Sequence, residues 1–252
     1  MLIVRARDIL LAALVTLPVA IVFVAQAQSA PAPPAKDLSS EQIVQQMQAH
    51  EQARVRFQQP YHSTRHYAVS YRGFPSDLEA SMVVAASFDA ATGKSFKIVS
   101  QTGSKFLAEK VLKRAIESEK EASQDKGSTA LTAKNYKFRL VGNEIVAGRP
   151  AYILDVEPHV PSKFLYRGKI WVDAVDFATV KMQTAPSKSP SFWISRTQID
   201  CTNVKAGDFW LPGKLRSETK VRIGGGAVFT IDYGNYEFET KLSQLGSGPA
   251  GK

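Results

Sequence analysis

From His66 to Phe88 the chain alternates between apolar and polar residues. Tyr67, Val69 and Tyr71 are spaced by two, separated by residues such as Ser70, and Leu78, Ala80, Met82, Val84, Ala86 and Phe88 continue the habit. A period of two places one set of side chains on one face of a strand, so two strands are expected here. The segment DAATGK, Asp89 to Lys94, carries the residues of a hairpin loop, and Phe96 and Ile98 open a third strand. On either side of these strands the period changes. In SSEQIVQQMQAHEQARVRF, Ile43, Val44 and Met47 form a narrow helical stripe, and Ser39 and Gln42 stand at capping-box spacing. A second helix is expected from Ser104 to about Ser123, with Phe106, Leu107, Val111, Leu112 and Ile116 on its apolar face.

The remaining apolar positions again recur every second residue. Tyr136, Phe138 and Leu140 lead to the turn VAGRP, then to Tyr152, Leu154 and Val156. In RGKIWVDAVDFATVKMQ, alternation puts Ile170 and Val172 on one face of a strand, and Val180 and Met182 on one face of the next. Lys169, Asp173, Lys181 and Gln183 point the other way, and Asp173 and Asp176 bracket the corner as turn carboxylates. Three more strand patterns follow, with Gly224-Gly225-Gly226 as a tight hairpin, since no helix follows to make it a phosphate cradle. The order is helix, three strands, helix, about seven strands. This predicts an α+β fold with an antiparallel sheet of about ten strands over residues 39–240. So large a sheet tends to curl, and the two helices would plug its open side.

The N-terminus changes the picture of where the fold works. Arg5 and Arg7 precede an apolar run from Ile9 to Val24, then Ala25-Gln26-Ala27, the layout of a cleavable export signal over residues 1–27. The run is shorter than the roughly 20 residues of a membrane span, and Pro18 interrupts it. A Pro/Ala-rich linker occupies 28–38 and a Gly/Ser tail 241–252. Export past a bacterial inner membrane implies a soluble periplasmic protein. Cys201 is the sole cysteine, which excludes an internal disulfide and leaves burial to provide stability. Without Arg5, Arg7 and Asp8, the 32 basic and 23 acidic residues fall to 30 and 22, a formal +8. In an exported chain that surplus suits an anionic membrane surface rather than nucleic acid.

Reactive constellations are sparse. His50, His62, His66 and His159 lack metal-ligand spacing, and no G-x-S-x-G elbow occurs. The S-x-x-K matches at Ser123 and Ser217 fall on a frayed helix end and on opposite faces of a strand. No cofactor and no metal are expected, and an enzyme is not. Inward aromatic and aliphatic positions are abundant, and an uncovered apolar sheet face is what a hydrophobic ligand occupies. The candidate lining comprises Ile43, Val44, Met47, Tyr67, Val69, Tyr71, Met82, Val84, Tyr152, Leu154, Ile170, Val172, Val180 and Met182.

The segments GRPAYILDVEP (Gly148–Pro158), RGKIWVDAVDFATVKMQ (Arg167–Gln183), PSKSPSFWI (Pro186–Ile194) and FWLPGKLRSET (Phe209–Thr219) resemble outer-membrane lipoprotein-sorting-type proteins of the LolA-like superfamily. The likeness covers roughly Asn135 to Tyr236. It implies an open, strongly curved half-barrel with helices as a lid over an apolar cavity. Members of that superfamily hold lipoprotein acyl chains or, in its RseB-like branch, sense mislocalised lipoproteins. The expected partner is therefore a lipid or a lipidated protein. A carrier, a sensor of the same fold and a secreted hydrolase of another type are the three functions in view.

Overall fold

The computed structural model describes residues 37–56, 59–124, 129–162, 164–189, 194–222 and 224–239. The export signal, most of the linker, the Gly/Ser tail and the PSFW of PSFWI lie outside them. Helix α1 (Ser40–Arg56) starts where the capping box predicts. The Ser39 N–H donates to Gln42 Oε1 at 2.9 Å, and the Gln42 N–H donates to Ser39 Oγ at 3.3 Å. Three strands follow, β1 (Tyr61–Arg72), β2 (Leu78–Asp89) and β3 (Gly93–Gly103). Ser104 then caps a helical arm made of α2 (Lys105–Leu107), a π-helical turn (Ala108–Leu112) and α3 (Lys113–Gln124).

Eight strands complete the chain: β4 (Tyr136–Val146), β5 (Arg149–Pro158), β6 (Tyr166–Asp173), β7 (Thr179–Pro186), β8 (Ile194–Ala206), β9 (Phe209–Val221), β10 (Gly226–Asp232) and the short β11 (Tyr236–Phe238). The turn between β4 and β5 places Ala147 at φ 49° and Gly148 at φ 78°, the paired left-handed conformation that suits a two-residue hairpin.

All pairings are antiparallel, in the order β3-β2-β1-β10-β9-β8-β7-β6-β5-β4, with β11 on the end of β1. The sheet is open, with β3 and β4 at its edges, and both helical elements lie on one face, giving an open half-barrel with helical covers. Beneath α1, Ile43, Val44 and Met47 pack on Tyr152, Leu154, Val156, Ile170 and Val172. Beneath the arm, Leu107, Ala108 and Leu112 pack on Tyr67, Val69, Met82 and Val84. β1 shows the cause clearly, for its residues alternate buried and exposed from Tyr61 to Val69.

The acidic corner between β6 and β7 is locked by charge. Asp173, 1% exposed, receives Arg149 on both carboxylate oxygens at 2.5 and 2.8 Å, and its Oδ1 also accepts the N–H groups of Val175 and Asp176. Asp176 Oδ2 accepts from Arg149, Lys205 and Trp210 Nε1 at 2.8–2.9 Å. Arg54 donates to the Asp176 carbonyl at 3.0 Å and ties the end of α1 to the corner. Burial opposes ionisation of both aspartates. The Arg149 guanidinium and two backbone N–H groups nevertheless hold Asp173 below the usual carboxylate range, and Lys205 and Trp210 do so for Asp176. These are turn and clamp residues, as their spacing suggested.

Candidate functional site

The inward face of the sheet can be followed strand by strand. At one level Leu154, Ile170, Met182, Cys201, Leu215, Ile231, Tyr67 and Met82 are successive cross-strand partners. The two ends of this row are buried under the helices: Leu154 and Ile170 are 0% exposed, Ile231 5%, Tyr67 and Met82 1%. Its middle, Met182, Cys201 and Leu215, is only half-buried. The neighbouring row repeats the dip. Val156 and Val69 are buried, whereas Ile199, Ser217 and Phe229 between them are half-buried. The two helical covers therefore leave a strip along β8 and β9 between them. A cavity of about 590 Å³ opens at the α1 side of this strip, lined by Met47, Gln48, Phe177, Met182, Asn203 and Trp210 among others. That volume lies within the range of small-molecule sites.

The sequence-predicted lining divides in two. Ile43, Val44, Met47, Tyr152, Leu154, Ile170, Val172 and Met182 join the α1 cluster, and Tyr67, Val69, Tyr71, Met82 and Val84 the cluster under the arm. Of these only Tyr71 and Met182 are half-buried, the rest being packed against a helix. Val180 is a correction. Ile170 pairs with Met182 and Trp171 with Lys181, but Val172 pairs with Thr179, so β7 carries one extra residue at this point. The bulge turns Val180 to the outer face, where it packs on Ala151 and Trp171. Lys181 shares that face, its Nζ 4.3 Å from the centroid of the Trp171 ring. Ile199, Cys201 and Leu215, which sequence reading passed over, form the uncovered strip. Their signal was the alternation in ISRTQIDC and KLRSET, diluted by the hydroxyl residues Thr197, Ser217 and Thr219 on the same face.

One charged group enters the apolar face. Arg65, 1% exposed, points inward from β1 in phase with Tyr67. Its Nη1 donates to Glu119 Oε2 of α3 at 2.8 Å, and Lys94 of β3 reaches Glu119 Oε1 at 2.9 Å. The guanidinium lies 4.8 Å from the Tyr233 ring and 5.3 Å from the Phe96 ring. Burial favours the neutral acid at Glu119, but Lys94 and Arg65 together hold it below the usual range. Among the described residues Arg65 Nε and Ser63 Oγ find no hydrogen-bond partner.

Other candidates for chemistry stay apart. His62 and His66 stand on the outer face, where His62 lies 3.0 Å from Glu239. Among the described residues no three His, Cys, Asp or Glu side chains converge as a metal site. Burial, and then Asp200, push the Cys201 thiol up to about 11, so at neutral pH it is a small apolar group rather than a nucleophile.

No family model and no curated protein sequence matches the chain. Solved structures do. A DUF1329 family protein from Desulfovibrio piger is 15% identical with a TM-score of 0.41, over 82% of this chain and 96% of that one. An outer membrane lipoprotein-sorting protein domain from Vibrio parahaemolyticus is 12% identical with a TM-score of 0.40, over 81% and 94%. A LolA superfamily protein from Nitrosomonas europaea is 11% identical with a TM-score of 0.33, over 84% and 98%.

Proposed function

We propose that this chain is an exported, periplasmic carrier that holds the acyl chain of a lipid or lipidated protein along β8 and β9. The observation that supports this is the dip in burial at the middle of the inward face. Ile199, Cys201 and Leu215 are half-buried between two helix-covered cores. A protein folding only for stability gains nothing by leaving that strip wet, whereas an acyl chain laid along it removes apolar surface from water at about 0.8 kcal/mol per methylene. Ten enclosed methylenes would supply several kcal/mol of binding on the same scale. The sorting-type segments of β5–β9 agree with this role, and no catalytic group is needed for it.

The test follows from the faces. Ile199→Glu or Leu215→Glu puts a carboxylate where the chain would lie, at a half-buried position that hydrates more easily than a packed one. Ala68→Glu, exposed on the outer face of β1, makes the same charge change away from the strip. Binding of a fluorescent fatty acid should fall at least tenfold for the two inward variants and stay unchanged for Ala68→Glu, with all three still folded by thermal melting. Wild-type affinity in folded Leu215→Glu would overturn the reading.

A further inference from the structure

The outer face of the sheet is electrically lopsided. Over β1 and β2 it presents neutral or small side chains such as Thr64, Ala68, Ser70, Ser81 and Ala85. Over β4 to β8 it presents Lys137, Arg139, Arg167, Lys169 and Arg196, all exposed. Opposite charge there comes from Asp155, paired with Arg139, from Glu157, and from Asp200 and Glu218 on the adjoining strands. Lys137, Arg167, Lys169 and Arg196 form no ion pair among the described residues. Lys137, Arg139, Arg167 and Arg196 line an open groove of about 990 Å³ that also holds Gly168 and Ala185, so small residues leave room between the cations, and Lys169 stands beside it on β6.

We propose that this outer face of β4–β8 is a docking surface for an anionic phospholipid bilayer, seating the lipid phosphates among Lys137, Arg167, Lys169 and Arg196. The inference rests on the acyl-carrier reading, because a carrier must meet a membrane to exchange its cargo, and it names the face that does so. None of the four cations gives up an ion pair to meet a phosphate, while Glu157 and Asp155, opposite Lys137 and Lys169 across the strands, offset part of the attraction. Attraction of this kind acts within a Debye length of about 8 Å at physiological ionic strength and collapses as salt rises. Near an anionic surface each such cation contributes about fivefold to the partition constant.

The experiment is sedimentation of the full chain with phosphatidylcholine vesicles, with and without phosphatidylglycerol. Wild type should sediment with the anionic vesicles only, and release in high salt. The triple variant Arg167→Glu/Lys169→Glu/Arg196→Glu should lose about a hundredfold or more in vesicle affinity. A triple with the same net charge change elsewhere, Lys97→Glu/Lys105→Glu/Lys110→Glu, should stay within severalfold of wild type. Equal loss in both triples would mean net charge alone, and no loss in the first would remove the docking face; either overturns the proposal. So would complete competition by inorganic phosphate at matched ionic strength, which would make the groove a free-anion site. Fatty-acid binding measured on the same variants keeps the two readings separate, since the outer triple should hold the probe as wild type does even if docking fails.

Discussion

The two helical covers rest on the same face of one sheet and both bury apolar side chains there, but the arm adds a buried ion pair that α1 lacks. α1 presents Ile43, Val44 and Met47, each at most 6% exposed, to an apolar bed of Tyr152, Leu154, Ile170 and Val172, and a capping box starts it. The arm from Lys105 to Gln124 is interrupted by a π-helical turn, and its α3 is pinned by Glu119 to a buried arginine with an unpartnered Nε. Apolar burial adds up over area and has no alternative partner. An ion pair in a dry setting is conditional, because the cost of desolvating both charges offsets most of their attraction. The two covers thus differ in one conditional contact, with the uncovered strip of β8 and β9 between them.

The largest expected effect comes from stranding the buried charge. Glu119→Leu leaves Arg65 nearly without solvent and with no carboxylate, at a cost of about 3–5 kcal/mol read from chemical denaturation. Arg65→Met/Glu119→Leu should recover most of that loss; if it is as unstable as the single variant, the ion pair is not what holds the arm. A slightly smaller loss, about 3 kcal/mol, is expected for Ile43→Ala, from transfer and cavity formation at a residue with 0% exposure. In hydrogen exchange, Ile43→Ala should speed the amides of α1 and β5–β6 and spare the arm, whereas Glu119→Leu should do the reverse. Uniform acceleration in both would erase the distinction between the covers.

Acid should act on the arm through Glu119. Its folded pKa lies below the unfolded value of about 4.3, so it adds stability above that value and loses it as pH falls through the folded pKa. Asp173 and Asp176 are depressed in the same direction at the other corner. Stability should therefore be flat near neutrality and decline below about pH 4, and in Arg65→Met/Glu119→Leu the decline should be shallower. A decline of wild-type steepness in the double variant would assign the acid response to the aspartate corner alone. The smallest effect is expected for Ser39→Ala, about 1 kcal/mol from a lost helix cap, with faster exchange confined to the first turn of α1.

Much of this architecture was legible in the chain because it is local. Periods of two and 3.6, the Ser39/Gln42 box, the Ala147-Gly148 turn and the Asp173/Asp176 corner each depend on neighbours a few residues away, and the structure holds all of them. The amount of inward apolar surface was also fixed by composition and alternation. What only the tertiary structure decided involves partners far apart in the chain. β10 pairs with β1, so the first three strands and the last eight join into one sheet, although β3 and β4 become its opposite edges. The bulge in β7 sends Val180 outward, because one extra residue inverts every later side chain on an alternating strand. Arg65 stands on the inward face of β1, and its burial is tolerable only because α3 brings Glu119 over it. Alternation tells which residues share a face. Which part of that face a helix covers, and which part stays open for a ligand, depends on where two distant helices come to rest.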